Sequence, residues 1–141
     1  MATRKRKRSS AVTKPQRRDN PAALRTIKAL FPTVGMKRVE ALRRIDPEFC
    51  RLFQDFTYGG LYTRTVLDQR VRELCALAAL AVVGKPTQLR SHIRAAFLAG
   101  ATWAEVIEVF IQVTTYAGFP AAIAALDLLE EFRDEFGPAG A

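Results

Sequence analysis

His92 is the only histidine in the chain. Its side chain is the one whose ordinary titration range lies near neutral pH, which makes it the first candidate for acid–base chemistry. On a helix opening at Pro86, the residues Leu89, Ile93, Ala96 and Phe97 form an inward face, and His92 falls within it while Arg90 and Arg94 point away. Gln88 lies one turn earlier and faces the same way. An inward histidine of this kind is either a hydrogen-bonded core residue or a proton donor, and spacing leaves both open. Glu73 sits in the first turns of another helix, where a carboxylate also favours the helix dipole. Glu105, Glu108, Gln112 and Thr115 or Tyr116 recur at intervals of three and four along one polar helical face. Glu105 already has a structural task as a capping acid, and Glu108 reads equally well as a solvated carboxylate.

Other chemistries find no residues to support them. The chain has no phosphate-binding glycine loop, nucleophilic serine motif or metal-ligand spacing. Cys50 and Cys75 lie 25 positions apart with no CxxC, and the expected role for both is a buried thiol acting as a small apolar side chain. An enzyme built on these residues works by acid–base and electrostatic means, with no cofactor and no metal.

The elements that must position these groups are all helical. Asn20-Pro21 and Asp46-Pro47 each pair a capping side chain with proline at the first helical position. They open helices from 21 to about 30 and from 47 to Gly59-Gly60, with a short helix over 36–44 between them. The third helix places Phe49, Leu52, Phe53 and Phe56 on one face. A linker over 59–67 contains Tyr62 and Arg64. Asp68 caps a fourth helix, roughly 69–83, that is apolar almost all round after Leu74 and so is expected at the centre. Gly84 and Pro86 separate it from the fifth, which runs to about Leu98. Thr102-Trp103-Ala104-Glu105 is a capping box that starts the sixth. Its β-branched residues favour strand, but its polar residues keep helical spacing. Gly118-Phe119-Pro120 breaks the chain before a seventh helix to about Phe136. The fold class is all-α, with six to seven helices.

The formal charge of +8 has one source. Residues 1–18 hold eight Lys or Arg and no acid, while residues 19–141 hold 14 basic and 14 acidic side chains. The chain therefore divides into a disordered basic tail over 1–18, a helical domain over 19–136 and a C-terminal tail over 137–141. Any nucleic-acid contact would run through the basic tail, which lacks aromatic residues for base stacking. No apolar run is read as reaching the roughly 18–20 residues of a membrane span, so no membrane partner is expected and the location is taken as cytoplasmic.

Residues 67–124 carry a resemblance. Leu67-Asp68, Arg72-Glu73-Leu74, the alanine-rich run ending at Gly84, Gln88-Leu89-x-x-His92-Ile93-x-x-Ala96 and Tyr116-Ala117-Gly118-Phe119-Pro120-Ala121-Ala122 closely resemble the carboxymuconolactone decarboxylase family, within the alkyl hydroperoxidase D-like superfamily. The resemblance implies an alkyl hydroperoxidase D-like helical bundle built around a helical hairpin and assembled as a homo-oligomer, a trimer or hexamer. It also implies decarboxylation of 4-carboxymuconolactone, or of a related small carboxylic acid or lactone, without a cofactor. The peroxidase branch has a CxxC motif where this chain has Lys85 and Gln88, so dithiol peroxidase activity is not expected. His92 and Glu73 occupy the family's histidine and glutamate positions. On this reading His92 is the acid that returns a proton to carbon and Glu73 orients it. Arg64 and Arg72 bind substrate carboxylates, and Gln88, Gln112 and Tyr116 line the pocket. Thr65-Val66 replaces the proline-glycine common before the helix, which implies a different substrate loop. The alternative is a non-catalytic binding or scaffold protein that keeps the fold.

Overall fold

A computed structural model describes residues 19–138. The basic tail expected over 1–18, with any nucleic-acid contact assigned to it, and positions 139–141 of the C-terminal tail lie outside the described residues. Within that range the chain forms α1 (Pro21–Leu30), α2 (Gly35–Ile45), α3 (Pro47–Phe53), α4 (Gln69–Val82), α5 (Pro86–Leu98), α6 (Trp103–Glu130) and α7 (Arg133–Phe136). No strand occurs among the described residues. A π-helical turn over Gln54–Tyr58 continues α3, and a 3-10 turn over Leu61–Thr63 occupies part of the expected linker.

Local signals explain where the helices begin. The Asn20 side chain accepts from the backbone N–H groups of Ala22 and Ala23, and Asp46 does the same for Glu48 and Phe49. Asp68 accepts from Val71 N–H at 2.8 Å. At α6 both arms of the capping box form: Thr102 Oγ1 accepts from Glu105 N–H, and Glu105 Oε2 accepts from Thr102 N–H at 2.8 Å. Gly84, at φ 63°, supplies the left-handed turn that folds α5 back along α4. Gly118 has φ 80° and ψ 168°, a region open essentially to glycine alone, and it divides α6 into two segments. Pro120 then falls in the first turn of the second segment, where its missing N–H costs little.

α4, α5 and α6 pack against one another around Leu77, Leu89, Ile93, Val106, Phe110, Val113 and Leu129. A second core, of Ala23, Ile27, Phe31, Val39, Cys50, Tyr58 and Tyr62, joins α1–α3 and the two short turns to Ala95 of α5. Glu73 and His92 therefore lie on adjacent arms of the α4–α5 hairpin, with the second core packed over them.

Three expectations need correction. α6 is long and apolar enough, by length and composition, to cross a bilayer, although no such stretch was expected. The break at Gly118 leaves segments 103–117 and 119–130, each shorter than the roughly 20 residues a span needs. The aromatic face of α3 is not buried as a unit: Phe49, Leu52 and Phe56 are exposed, because Cys50, Gln54 and Tyr58 are the residues turned into the second core. Of the two cysteines, only Cys50 is buried, its thiol donating to the Val39 carbonyl; Cys75 is exposed on α4.

Candidate functional site

Glu73 is completely buried, an unusual position for a carboxylate and one that requires a partner. That partner is His92: its Nδ1 lies 2.7 Å from Glu73 Oε2, across the hairpin set by Gly84. With Glu73 as the ionised acceptor, Nδ1 donates in this contact and Nε2 is the nitrogen left for chemistry. The Phe31 ring, from the end of α1, meets the imidazole edge-on at 5.0 Å between centroids. The His92 side chain keeps 19% exposure, so the ring is held but not sealed.

That remaining exposure opens into a cavity of about 330 Å³. Thr87, Gln88, Ser91 and His92 of α5 form its polar side, and Ile27, Phe31, Leu42, Phe49 and Phe53 form most of its apolar side. Tyr58 and Arg38 complete the polar groups in the lining. Glu73 does not line it. The carboxylate stands behind the imidazole, which makes it a positioning group for His92.

Two buried phenols stand on the other side of the carboxylate. Burial first, and then the charge of Glu73, push the Tyr62 phenol well above its ordinary value, against a weaker opposing pull from Arg72. Tyr58 is pushed up to about 12, again by burial and then by Glu73, with Arg38 pulling the other way. Both phenols thus remain neutral donors. Among the described residues no hydrogen bond of ordinary geometry reaches the buried Glu73 Oε1, and Tyr62 is the phenol whose donor interacts with this carboxylate.

The site residues read from the sequence divide into three groups. Glu73 and His92 are in contact, and Gln88 lines the same cavity. Arg72 and Arg64 are adjacent to each other but away from the lining: the Arg72 guanidinium donates to the backbone carbonyls of Arg64 at 3.0 Å and Leu67 at 3.2 Å, and lies over the Tyr62 ring. Arg72 thereby staples the 64–67 segment, and the Arg64 side chain is exposed. Gln112 and Tyr116 line a different, mostly apolar groove between α4 and α6, with Leu74, Cys75, Ala78 and Val109 among its walls. Sequence reasoning missed Arg38. It is one of several basic residues on α2, and only the fold shows that it borders the His92 cavity. Among the described residues, no group of three or more His, Cys, Asp or Glu side chains is placed to hold a metal ion.

The model of the carboxymuconolactone decarboxylase family matches residues 47–131. A 4-carboxymuconolactone decarboxylase from Acinetobacter baylyi is 32% identical over 101 residues, which cover 72% of this chain and 75% of that relative. The chain belongs to the carboxymuconolactone decarboxylase family. An uncharacterized 15.0 kDa protein of Paracoccus denitrificans is also similar, at 29% identity over 110 residues, 77% of this chain and 82% of that protein. The carboxymuconolactone decarboxylase family match takes in α3 to the end of α6 and so includes Glu73 and His92. α1 and α2, which contribute Ile27, Phe31 and Arg38 to the cavity, precede the matched residues.

Proposed function

We propose that this protein is a cofactor-free carboxy-lyase acting on a small carboxylated lactone or a related acid, in the manner named for its Acinetobacter relative. The observation that carries the reading is the contact between His92 Nδ1 and Glu73 Oε2 at the wall of a cavity sized for a small molecule. The carbon–carbon bond to the departing carboxylate breaks, carbon dioxide leaves, and the bonding electrons move through the unsaturated ring onto the lactone carbonyl oxygen. His92 Nε2–H then delivers a proton to the ring carbon, and the imidazole regains a proton from water. Glu73 holds the ring orientation and favours the imidazolium that stands ready before the proton is delivered and that re-forms after it. The apolar wall of aromatic side chains limits water around the developing charge and strengthens each polar contact.

A cation and an imidazole at one cavity, with a buried carboxylate behind the imidazole, support catalysis over the alternative of a binding or scaffold protein. The test is carbon dioxide release from 4-carboxymuconolactone and related lactone acids in deuterated water. Turnover with one deuteron incorporated at carbon is expected. Absence of release across the panel by folded protein would rule the reading out.

The homo-oligomer, trimer or hexamer, also remains a proposal. It is supported by the apolar groove between α4 and α6 and by Val82, Val83, Ile111, Phe119 and Ile123, which are exposed on those two helices.

A further inference from the structure

We propose that Arg38 is the residue that selects anionic substrates at this site, by pairing with a carboxylate of the bound molecule. The inference rests on reading the His92 cavity as the reaction site. An acid entering a partly apolar cavity loses hydration and needs a fixed positive group to replace it. The arginines expected to do this are occupied or misplaced. The Arg72 guanidinium is spent on the carbonyls of Arg64 and Leu67, and Arg64 is absent from the lining.

Among the described residues, Arg38 is the one lysine or arginine in the lining. It makes no ion pair among the described residues, although α2 is within reach of acids that pair with other arginines, as Arg43 does with Asp19. Tyr58 lines the same cavity, and the charge of Arg38 pulls against the rise of its phenol. In the same lining, Thr87 and Gln88 belong to the first turn of α5, which begins at Pro86 with no side-chain cap among the described residues. Uncapped N–H groups and the positive end of the helix dipole add to the same preference for negative charge. A guanidinium, a helix N-terminus and an imidazole in one lining fit a compact carboxylated ring, with its apolar faces against Phe31, Phe49 and Phe53.

The experiment measures binding, so it does not depend on turnover. Titration calorimetry of the full chain uses 5-oxotetrahydrofuran-3-carboxylate and its uncharged carboxamide as probes. The carboxylate is expected to bind the wild type more tightly than the carboxamide. The Arg38→Met variant should lose that preference, with carboxylate affinity falling roughly ten- to a hundredfold, the scale of a charge-assisted hydrogen bond. Arg38→Lys should keep part of it, and Arg64→Met should keep all of it. Arg38 is exposed, so circular dichroism melts of the variants should match wild type. Loss of lyase activity across the substrate panel with an Arg38-dependent preference intact would remove the reaction and leave this inference standing. Equal affinity of the wild type for the two probes, binding of neither, or an undiminished preference in Arg38→Met overturns it.

Discussion

Glu73 Oε2 and His92 Nδ1 meet at 2.7 Å with the carboxylate fully buried and the imidazole partly open to the cavity. The two residues are 19 positions apart and are brought together by one glycine turn between two helices. The geometry ties folding to chemistry. The same carboxylate that orients the ring would be left buried and unpaired without it.

Removal of the imidazole is therefore expected to destabilise the protein more than removal of the charge. His92→Ala leaves a buried carboxylate uncompensated and should cost about 3–5 kcal/mol. Glu73→Gln removes that charge, keeps the volume, and should stay within about 1–2 kcal/mol of wild type, since neutral replacements of buried ions are often tolerated. Urea unfolding of both variants gives the comparison. A smaller loss for His92→Ala than for Glu73→Gln would contradict the buried-pair description.

Alkaline stability should report on the phenols beside this pair. Tyr58 and Tyr62 have raised values in the folded protein, while the unfolded chain returns them to near 10. Above that value the unfolded state releases phenol protons that the native state retains, so stability present below pH 10 falls as the pH rises toward 12. Tyr62→Phe removes one of these protons and should flatten the decline. Unfolding free energies measured from pH 9 to 11.5 test this. A constant value across that range in wild type would contradict the burial of both phenols.

Much of the scaffold could be read from local chemistry. Asn20, Asp46, Asp68 and Thr102 cap helices in the structure as their residue types and spacing predict, and Gly118 breaks α6 where the sequence places a break. Such signals act within a few residues, so a single sequence contains them whole. The family resemblance added the Glu73 and His92 positions. Orientation between elements was not legible. The polar spacing of Gln112 and Tyr116 defines a face of α6, but not that the face borders α4 on the side away from His92. The aromatic stripe of α3 gave no sign that Cys50 and Gln54 would turn inward instead, because which face is covered depends on how α3 lies against α1 and α2. Arg38 carries no motif, and its place depends on how α2 lies against α5.

Assembly can be followed at the α4–α6 groove. If copies of the chain cover it, the exposed Cys75 thiol should be protected from a water-soluble thiol reagent in the assembled protein. A charge at Ala79 in the same groove, as in Ala79→Glu, should produce monomers and expose that thiol. Light scattering coupled to size exclusion, with thiol titration of each peak, provides the check. A wild-type monomer at micromolar concentration would refute assembly.

The most direct test of the catalytic account is turnover of 4-carboxymuconolactone by wild type, His92→Asn and Glu73→Gln, compared as kcat and KM. General acid catalysis by the imidazole predicts a fall in kcat of about 10²–10⁴ for His92→Asn with KM changed little. Glu73→Gln should lower kcat less and shift the pH–rate profile, as expected of a group acting through the imidazole. Turnover by His92→Asn at near the wild-type rate would contradict the account.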